Sequence, residues 1–469
     1  MHYAHRMASV DPKAVLEGRV PGRAPVGLIV GLVISSACVL AALGLDAVTG
    51  GAGFGVGLIM AILPVPLLVA LVLVLDRLEP EPWRNLVFAF MWGAGVAVLG
   101  ALILNTAGLV YVTGPLFGAE KGHFISAAIG APVIEESLKG SVLFGLLWFR
   151  RTELDGLTDG IVYAAMVALG FAMMENITYY IRAFDAGGAQ SLQTVFIMRG
   201  VISPLGHPLF TSMTGLGVAY AATHRGAGRS IAPVVGLLGA MLLHGMWNGS
   251  TRYGLSGLGL VYLIDLGILI ALIVIVVRER KRTVQLIGRF LPLYMPTGLV
   301  TPQDVDMLGR LSSRRGARRW ARLVGGHTAA KAMGDYQLAA TELALLHQRA
   351  ERGVAEPTWF EHRRRLLLQL MQLARQAFIR DKPLIPPWAG IGKSGLVQLP
   401  PGYAQPPPPP QPGQGRPPPP SQGYPPPPQQ PPPGPGYGPP PGQQPGYRPP
   451  PGPPSYGQPG QPPPGSYPR

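Results

Sequence analysis

The chain has 469 residues and a net charge of +15, yet only 13% of its residues are charged. Runs of about 20 apolar residues between short polar loops exclude an ordinary soluble domain and predict an all-α polytopic membrane protein. Its single cysteine, Cys38, excludes an intramolecular disulfide and a cysteine-based metal site, and basic residues gathered in loops point to a membrane surface rather than nucleic acid.

A polar leader, residues 1–24, carries Arg6, Lys13, Arg19 and Arg23. The apolar stretch behind it is too long for a signal-peptide core and reads as a retained first span. Residues 25–280 form the transmembrane domain, with about eight spans at 25–45, 54–75, 85–112, 124–149, 159–181, 201–223, 231–250 and 255–277. Each is near the ~20 residues a helix needs to cross the hydrocarbon. Gln190 to Gly200, only moderately apolar and carrying Arg199, reads as an interfacial helix before the sixth span.

Arg77 and Arg84, Arg150 and Arg151, Arg225 and Arg229, and Arg278 to Arg282 fall on one side of this arrangement. The opposite loops hold chiefly Lys121, Arg182, Arg199 and Arg252. The positive-inside rule therefore predicts a multi-pass protein of the cell membrane with both termini in the cytoplasm.

Residues 281–388 read as a basic, cytosolic helical region. Thr301-Pro302 opens a helix, Leu308, Leu311, Trp320 and Leu323 recur at helical spacing, and two more helices are predicted around 328–352 and 357–380. Arg314, Arg315, Arg318, Arg319 and Arg363 to Arg365 are expected to face anionic lipid, with no nucleic-acid partner. Residues 389–469 are dominated by Pro, Gly, Gln and Tyr; they cannot bury a core and are expected to form a disordered or polyproline tail, a tether or a docking strip.

An ionised side chain at the bilayer centre costs about 2.5–3.5 kcal/mol, so each one needs compensation or a use. The fourth span holds Glu135, Glu136 and Lys139, the fifth Glu175 and Asn176, the sixth His207, the seventh His244 and Asn248, and the eighth Asp265. At 1.5 Å per residue, Glu135 lies about 16 Å from the outer end of its helix, and Glu175, His207 and His244 about 9 Å. Alternating helix directions bring these four into the middle and outer half of the membrane.

Glu135 and Lys139 share a helix face, as do His244 and Asn248. Two histidines and several carboxylates suit zinc with an open position for an acidified water, with a glutamate as general base. Asn248 is placed to polarise a carbonyl or assist ligation. The plainer alternative is that these polar pairs only lock helices together.

Other patterns lack the residues their chemistry needs. Gly254-Leu-Ser256-Gly257 is similar to the GxSG of rhomboid serine proteases, but no histidine base follows between Leu258 and Val277. Leu154-Asp155-Gly156 has no HExxH beside it. Asp159 and Asp265 lack the context of an aspartyl pair, and Asp265 is expected to bond a neighbouring helix or line an aqueous pocket.

Glu135-Glu136-Ser-Leu-Lys139 is similar to an EExxK motif, Phe171-Ala-Met-Met-Glu175-Asn176 to FxxxEN, His207-Pro208 with Gly215 to HxxxxxxxG, and His244-Gly-Met-Trp-Asn248 to HxxxN. In this order they resemble the PrsW family of intramembrane proteases, distant relatives of the CAAX prenyl endopeptidases. Arg77-Leu-Glu79-Pro80-Glu81-Pro82-Trp83 is similar to a further segment of that family, and the resemblance covers about residues 54–280.

The resemblance implies a glutamate-dependent, zinc-dependent site-1 cleavage of a membrane-anchored substrate, notably an anti-sigma factor. Glu135 would activate water, and Glu136 with Lys139 would support it. Glu175, His207 and His244 would bind metal or orient water, and Asn248 would steady the oxyanion. The competing classes are a transporter that relays ions or protons through the same residues, a substrate-holding scaffold, and an enzyme for prenylated or lipid-linked substrates; FxxxEN favours PrsW over that last branch.

Overall fold

The computed structural model describes residues 26–379, apart from Asp76 and the side chains of Thr152 and Ile379. The leader at 1–24, residues 380–388 and the tail at 389–469 lie outside the described residues.

Helix occupies each of the eight expected intervals. α1 (Val26–Ile62) and α2 (Val65–Leu75) cover the first two, with α1 broken at Gly51, whose φ of +45° is open to glycine without strain. α3 (Trp83–Phe117) and α4 (119–149) each contain wide π turns. α5 (Leu157–Phe196) is followed by a π turn, Ile197–Ile202, and then α6 (Gly206–Thr223), α7 (Gly228–Ser250) and α8 (Gly254–Phe290).

Among the described residues, four stretches are long and apolar enough to cross a membrane: Val26–Leu75, Trp83–Phe117, Leu157–Thr223 and Gly228–Thr297. They contain seven of the eight expected spans. α4 stands apart because Glu135, Glu136 and Lys139 interrupt its apolar run. The segment expected to be a separate helix before the sixth span is α5 beyond its break at Gly187 and Gly188.

α5 is the central helix. Residues 159–171 are buried without interruption, packed between α3 and α6. Close approach rests on glycine: a Cβ at Gly215 of α6 would come within 2.1 Å of the Gly160 carbonyl oxygen on α5. The seam between α6 and α7 is built alike, since a Cβ at Gly236 would meet the Met213 carbonyl oxygen at 2.4 Å. Small residues let helix backbones approach where apolar collapse gives no drive.

α9 (Pro302–Leu308) opens at Thr301-Pro302, and the periodic run from Leu308 to Leu323 is divided at Gly309-Arg310 before α10 (Leu311–Glu351, broken at Gly325 and Gly326) and α11 (Pro357–Ile379). Thr301 caps α9: its hydroxyl accepts from the Asp304 amide at 3.2 Å, while Asp304 accepts from the Thr301 amide at 2.9 Å. These helices bury Met307, Met333, Tyr336, Leu343, Leu370 and Phe378 against Phe290 and Leu291 at the end of α8. Trp320 packs on this core, whereas Leu323 is exposed.

The C-terminal helices grip the loops of the apolar region. Arg314, only 1% exposed, donates to the carbonyls of Leu308 and Leu78 and to the Thr341 hydroxyl, each at 2.8 Å. Burial pulls its pKa down to about 10. Arg349 forms an ion pair with Asp155, and Arg352 donates to the Thr223 carbonyl at 3.4 Å.

Candidate active site

Four helices bring the sequence-predicted residues together. α4 supplies Glu135, Glu136 and Lys139, 5%, 0% and 0% exposed, and α7 supplies the equally enclosed His244. His207 stands in the first turn of α6 and Glu175 on α5. The His207 and His244 rings meet edge to face, with centroids 5.0 Å apart.

Glu136 is fully committed. Its Oε1 accepts from Lys139 Nζ at 2.8 Å and from His244 Nδ1 at 3.0 Å, and its Oε2 accepts from the Thr211 hydroxyl at 2.8 Å. A proton on His244 Nδ1 leaves the Nε2 lone pair free, and that atom faces Glu135 Oε2 at 3.8 Å. A carboxylate behind a histidine in this way fixes the ring and raises its basicity as a ligand.

Glu135 is less occupied. Its Oε1 accepts from Asn105 Nδ2 at 3.2 Å, whereas Oε2 is buried without a hydrogen bond, 3.5 Å from the Lys139 ammonium. Lys139 is shared further: Nζ lies 3.0 Å from His207 Nδ1 and 3.8 Å from the centre of the Phe171 ring. The ammonium donates, so His207 Nδ1 accepts and Nε2 donates to Glu175 Oε2 at 2.9 Å. A cation taken by His207 would exchange one of these two bonds.

One ligating atom from each of Glu135, His207 and His244 lies within 4.8 Å of the others. The spacing and the unbonded Glu135 oxygen suit a cation with nitrogen and oxygen donors. Glu175 was expected in this set, but it stands one bond further out. Arg199 holds its Oε2 by an ion pair, and the same arginine donates through Nε to Asn176 at 2.6 Å.

Asn248 has a backbone partner. Its amide donates to the Ala127 carbonyl at 2.9 Å, inside the π turn Ser126–Gly130 of α4. A π turn breaks the regular helical bond register, and the asparagine ties α7 to that irregular backbone.

Three partners of the site carry only weak marks in the sequence: Asn105, Thr211 and Arg199. Asn105 is a polar residue inside an apolar span, and Thr211 follows His207 by four, hence on one face. Arg199 reads as a loop charge in the sequence, and the π turn Ile197–Ile202 brings it back to Glu175.

The other acids are apart from this cluster. Asp159 accepts from the amides of Asp155 and Gly156 at 2.6 and 2.7 Å and so caps α5. Asp265 is half-buried on α8, and its Oδ1 has no hydrogen-bond partner.

Comparison with known proteins bears on the same stretch. The sequence model described as "PrsW family intramembrane metalloprotease" matches residues 81–278, which include every residue of the cluster. These residues are a PrsW-family domain.

The chain is similar to "Protease PrsW" of Oceanobacillus iheyensis, 32% identical over 152 residues, 32% of this chain and 66% of that protein. "Protease PrsW" of Clostridioides difficile is 30% identical over 157 residues, 34% and 62% of the two chains. "Protease PrsW" of Geobacillus kaustophilus is 30% identical over 140 residues, 30% and 55%. The chain thus spans less than two thirds of the length of these PrsW relatives, and helices α9 to α11 lie outside the matched family segment. No solved structure matches.

Proposed function

We propose that the protein is an intramembrane metal-dependent endopeptidase that hydrolyses a peptide bond of a membrane-anchored protein, with an anti-sigma factor as the substrate class that the PrsW resemblance implies. The observation that carries this reading is the unbonded Glu135 Oε2 facing the free nitrogen of His244 inside an enclosed polar cluster. Of the three clustered glutamates, Glu136 is held by a lysine, a histidine and a threonine, and Glu175 by an arginine and a histidine. Glu135 is the one left to accept a proton from water and return it to the leaving amine.

His207 and His244 would hold zinc, with the Glu135 carboxylate beside them as the base. When bound, zinc supplies a Lewis acid and lowers the pKa of water. Glu136 orients His244, and Lys139 balances the clustered negative charge. Asn248 holds the α4 backbone in place, which makes it a positioning residue in this reading, beside the oxyanion role first expected of it.

The chain would cross the cell membrane about eight times with both termini and helices α9 to α11 in the cytoplasm. Arg314, Arg349 and Arg352 meet the loops at Leu78, Asp155 and Thr223, which the positive-inside rule assigns to one side.

The test compares membrane-protein fragments in cells carrying the wild-type chain or Glu135→Ala at equal expression. Single-pass proteins should accumulate uncut only with the variant, and purified His244→Ala should hold less metal than wild type. Coinciding fragment patterns would overturn the protease reading in favour of a transporter or a scaffold.

A further inference from the structure

Asp265 lies about 16 Å along α8 from Gly254, near the middle of the last apolar stretch, at 1.5 Å per residue. Its Oδ1 is buried and without a hydrogen bond. One turn earlier, on the same face, the Tyr262 hydroxyl is also buried without a hydrogen bond of ordinary geometry. It faces Ser203, whose own hydroxyl donates to the Met198 carbonyl at 2.6 Å. An open carboxyl oxygen, beside a phenol met only by the Ser203 hydroxyl, is expensive in an apolar stretch unless something else meets it.

Their position indicates what does. The Tyr262 ring stands edge-on against Trp247, with centroids 5.2 Å apart, and Trp247 follows His244 by three residues on α7. Tyr262 and Asp265 therefore line the seam between α7 and α8 next to the proposed cleavage centre. A peptide bond within a membrane helix must leave that helix before it can be attacked, and each backbone N–H or C=O freed in hydrocarbon costs several kcal/mol. A carboxyl oxygen accepts from such an N–H, and a phenol donates to such a C=O.

We propose that Asp265 and Tyr262 form a docking subsite for the unwound backbone of the substrate's membrane segment. This rests on the protease reading and names where the cleaved segment lies: along α8, against Trp247, with its freed amide groups bonded to these two side chains. Neither residue takes part in the chemistry; both position the peptide.

The probes are the single-pass proteins whose cleavage separates wild type from Glu135→Ala. In the full-length chain, Asp265→Leu favours insertion, so loss of fold is not its expected effect; it should lower cleavage of these proteins at least tenfold. Asp265→Asn, which keeps an accepting oxygen, should restore most of it. Inserting a Gly-Pro pair beside the cut, so that the segment is already unwound, should shrink the Asp265→Leu defect. That rescue separates a docking role from a structural one.

A benzophenone side chain at position 265 of the Glu135→Ala chain should crosslink the same proteins, and one at lipid-facing position 263 should not. Normal cleavage by Asp265→Leu, or equal crosslinking from both positions, would overturn the subsite and leave the protease reading standing. Identical fragments from wild type and Glu135→Ala would instead overturn the protease reading itself.

Discussion

His244 Nδ1 and Glu136 Oε1 are joined by a 3.0 Å hydrogen bond inside the protein, and the bond turns the other ring nitrogen toward Glu135. Glu136→Gln keeps the shape but removes the charge that balances Lys139 and fixes the imidazole proton. Outer partners of ligating histidines are worth roughly 10–100-fold in metal affinity or activity. Cleavage and bound zinc are both expected to fall by that order, measured as turnover and metal content of the purified chain. Unchanged values for both would show that the bond is merely structural.

Gly215 tests the scaffold rather than the chemistry. A Cβ there meets the Gly160 carbonyl oxygen at 2.1 Å, so Gly215→Val must push α6 from α5 and carry His207 away from Glu175. Overpacking of this kind costs roughly 3 kcal/mol. Thermal unfolding in detergent should come at lower temperature and activity should fall with it, whereas Glu135→Ala should lose activity at an unchanged midpoint.

Arg314 joins the C-terminal helices to the loop before α3. Arg314→Ala leaves the Leu78, Leu308 and Thr341 acceptors without this donor, and an unmet buried polar group costs about 1–3 kcal/mol. Limited proteolysis of the membrane-embedded chain should then cut residues 300–379 faster than in wild type. Equal rates would place the stabilisation elsewhere.

Burial, reinforced by the neighbouring Arg364, holds the His347 imidazole below its ordinary pKa. Its Nε2 accepts from the Tyr294 hydroxyl at 2.8 Å, as the neutral ring does. The unfolded chain takes up this proton below about pH 6.5 while the folded one resists it, so stability is full above that pH and falls as the pH drops through it. Protection of the amides across 329–351 against exchange, taken relative to the intrinsic rate at each pH, should be lower at pH 5.5 than at pH 7.5, and His347→Gln should flatten the difference.

Much of this was legible in the sequence because membrane helices announce themselves by length and apolar content, and because Thr301-Pro302 and paired glycines punctuate the rest. The clustering of Glu135, Glu136, Glu175, His207 and His244 followed from depth along antiparallel helices. What depth could not give was the division of labour among three glutamates. That depends on which side chain turns toward Arg199, Lys139 or Asn105, and Arg199 is delivered by a π turn with no simple periodic mark. Asn248 shows the same limit: its spacing from His244 was plain, but its partner is a backbone carbonyl that only irregular geometry presents.

α8 runs without a break from Gly254 to Phe290, so the helix bearing Asp265 also supplies Leu286, Ile287 and Phe290 to the core of the C-terminal helices. At 1.5 Å per residue it is a rod about 55 Å long. A tilt of about 5° pivoting at Phe290 would swing its far end by roughly 5 Å, nearly one helical pitch. A small rotation of α9 to α11 with that end of α8 would therefore be amplified in distance at the seam by Trp247, the helix acting as a long pointer whose short end sits in the C-terminal core.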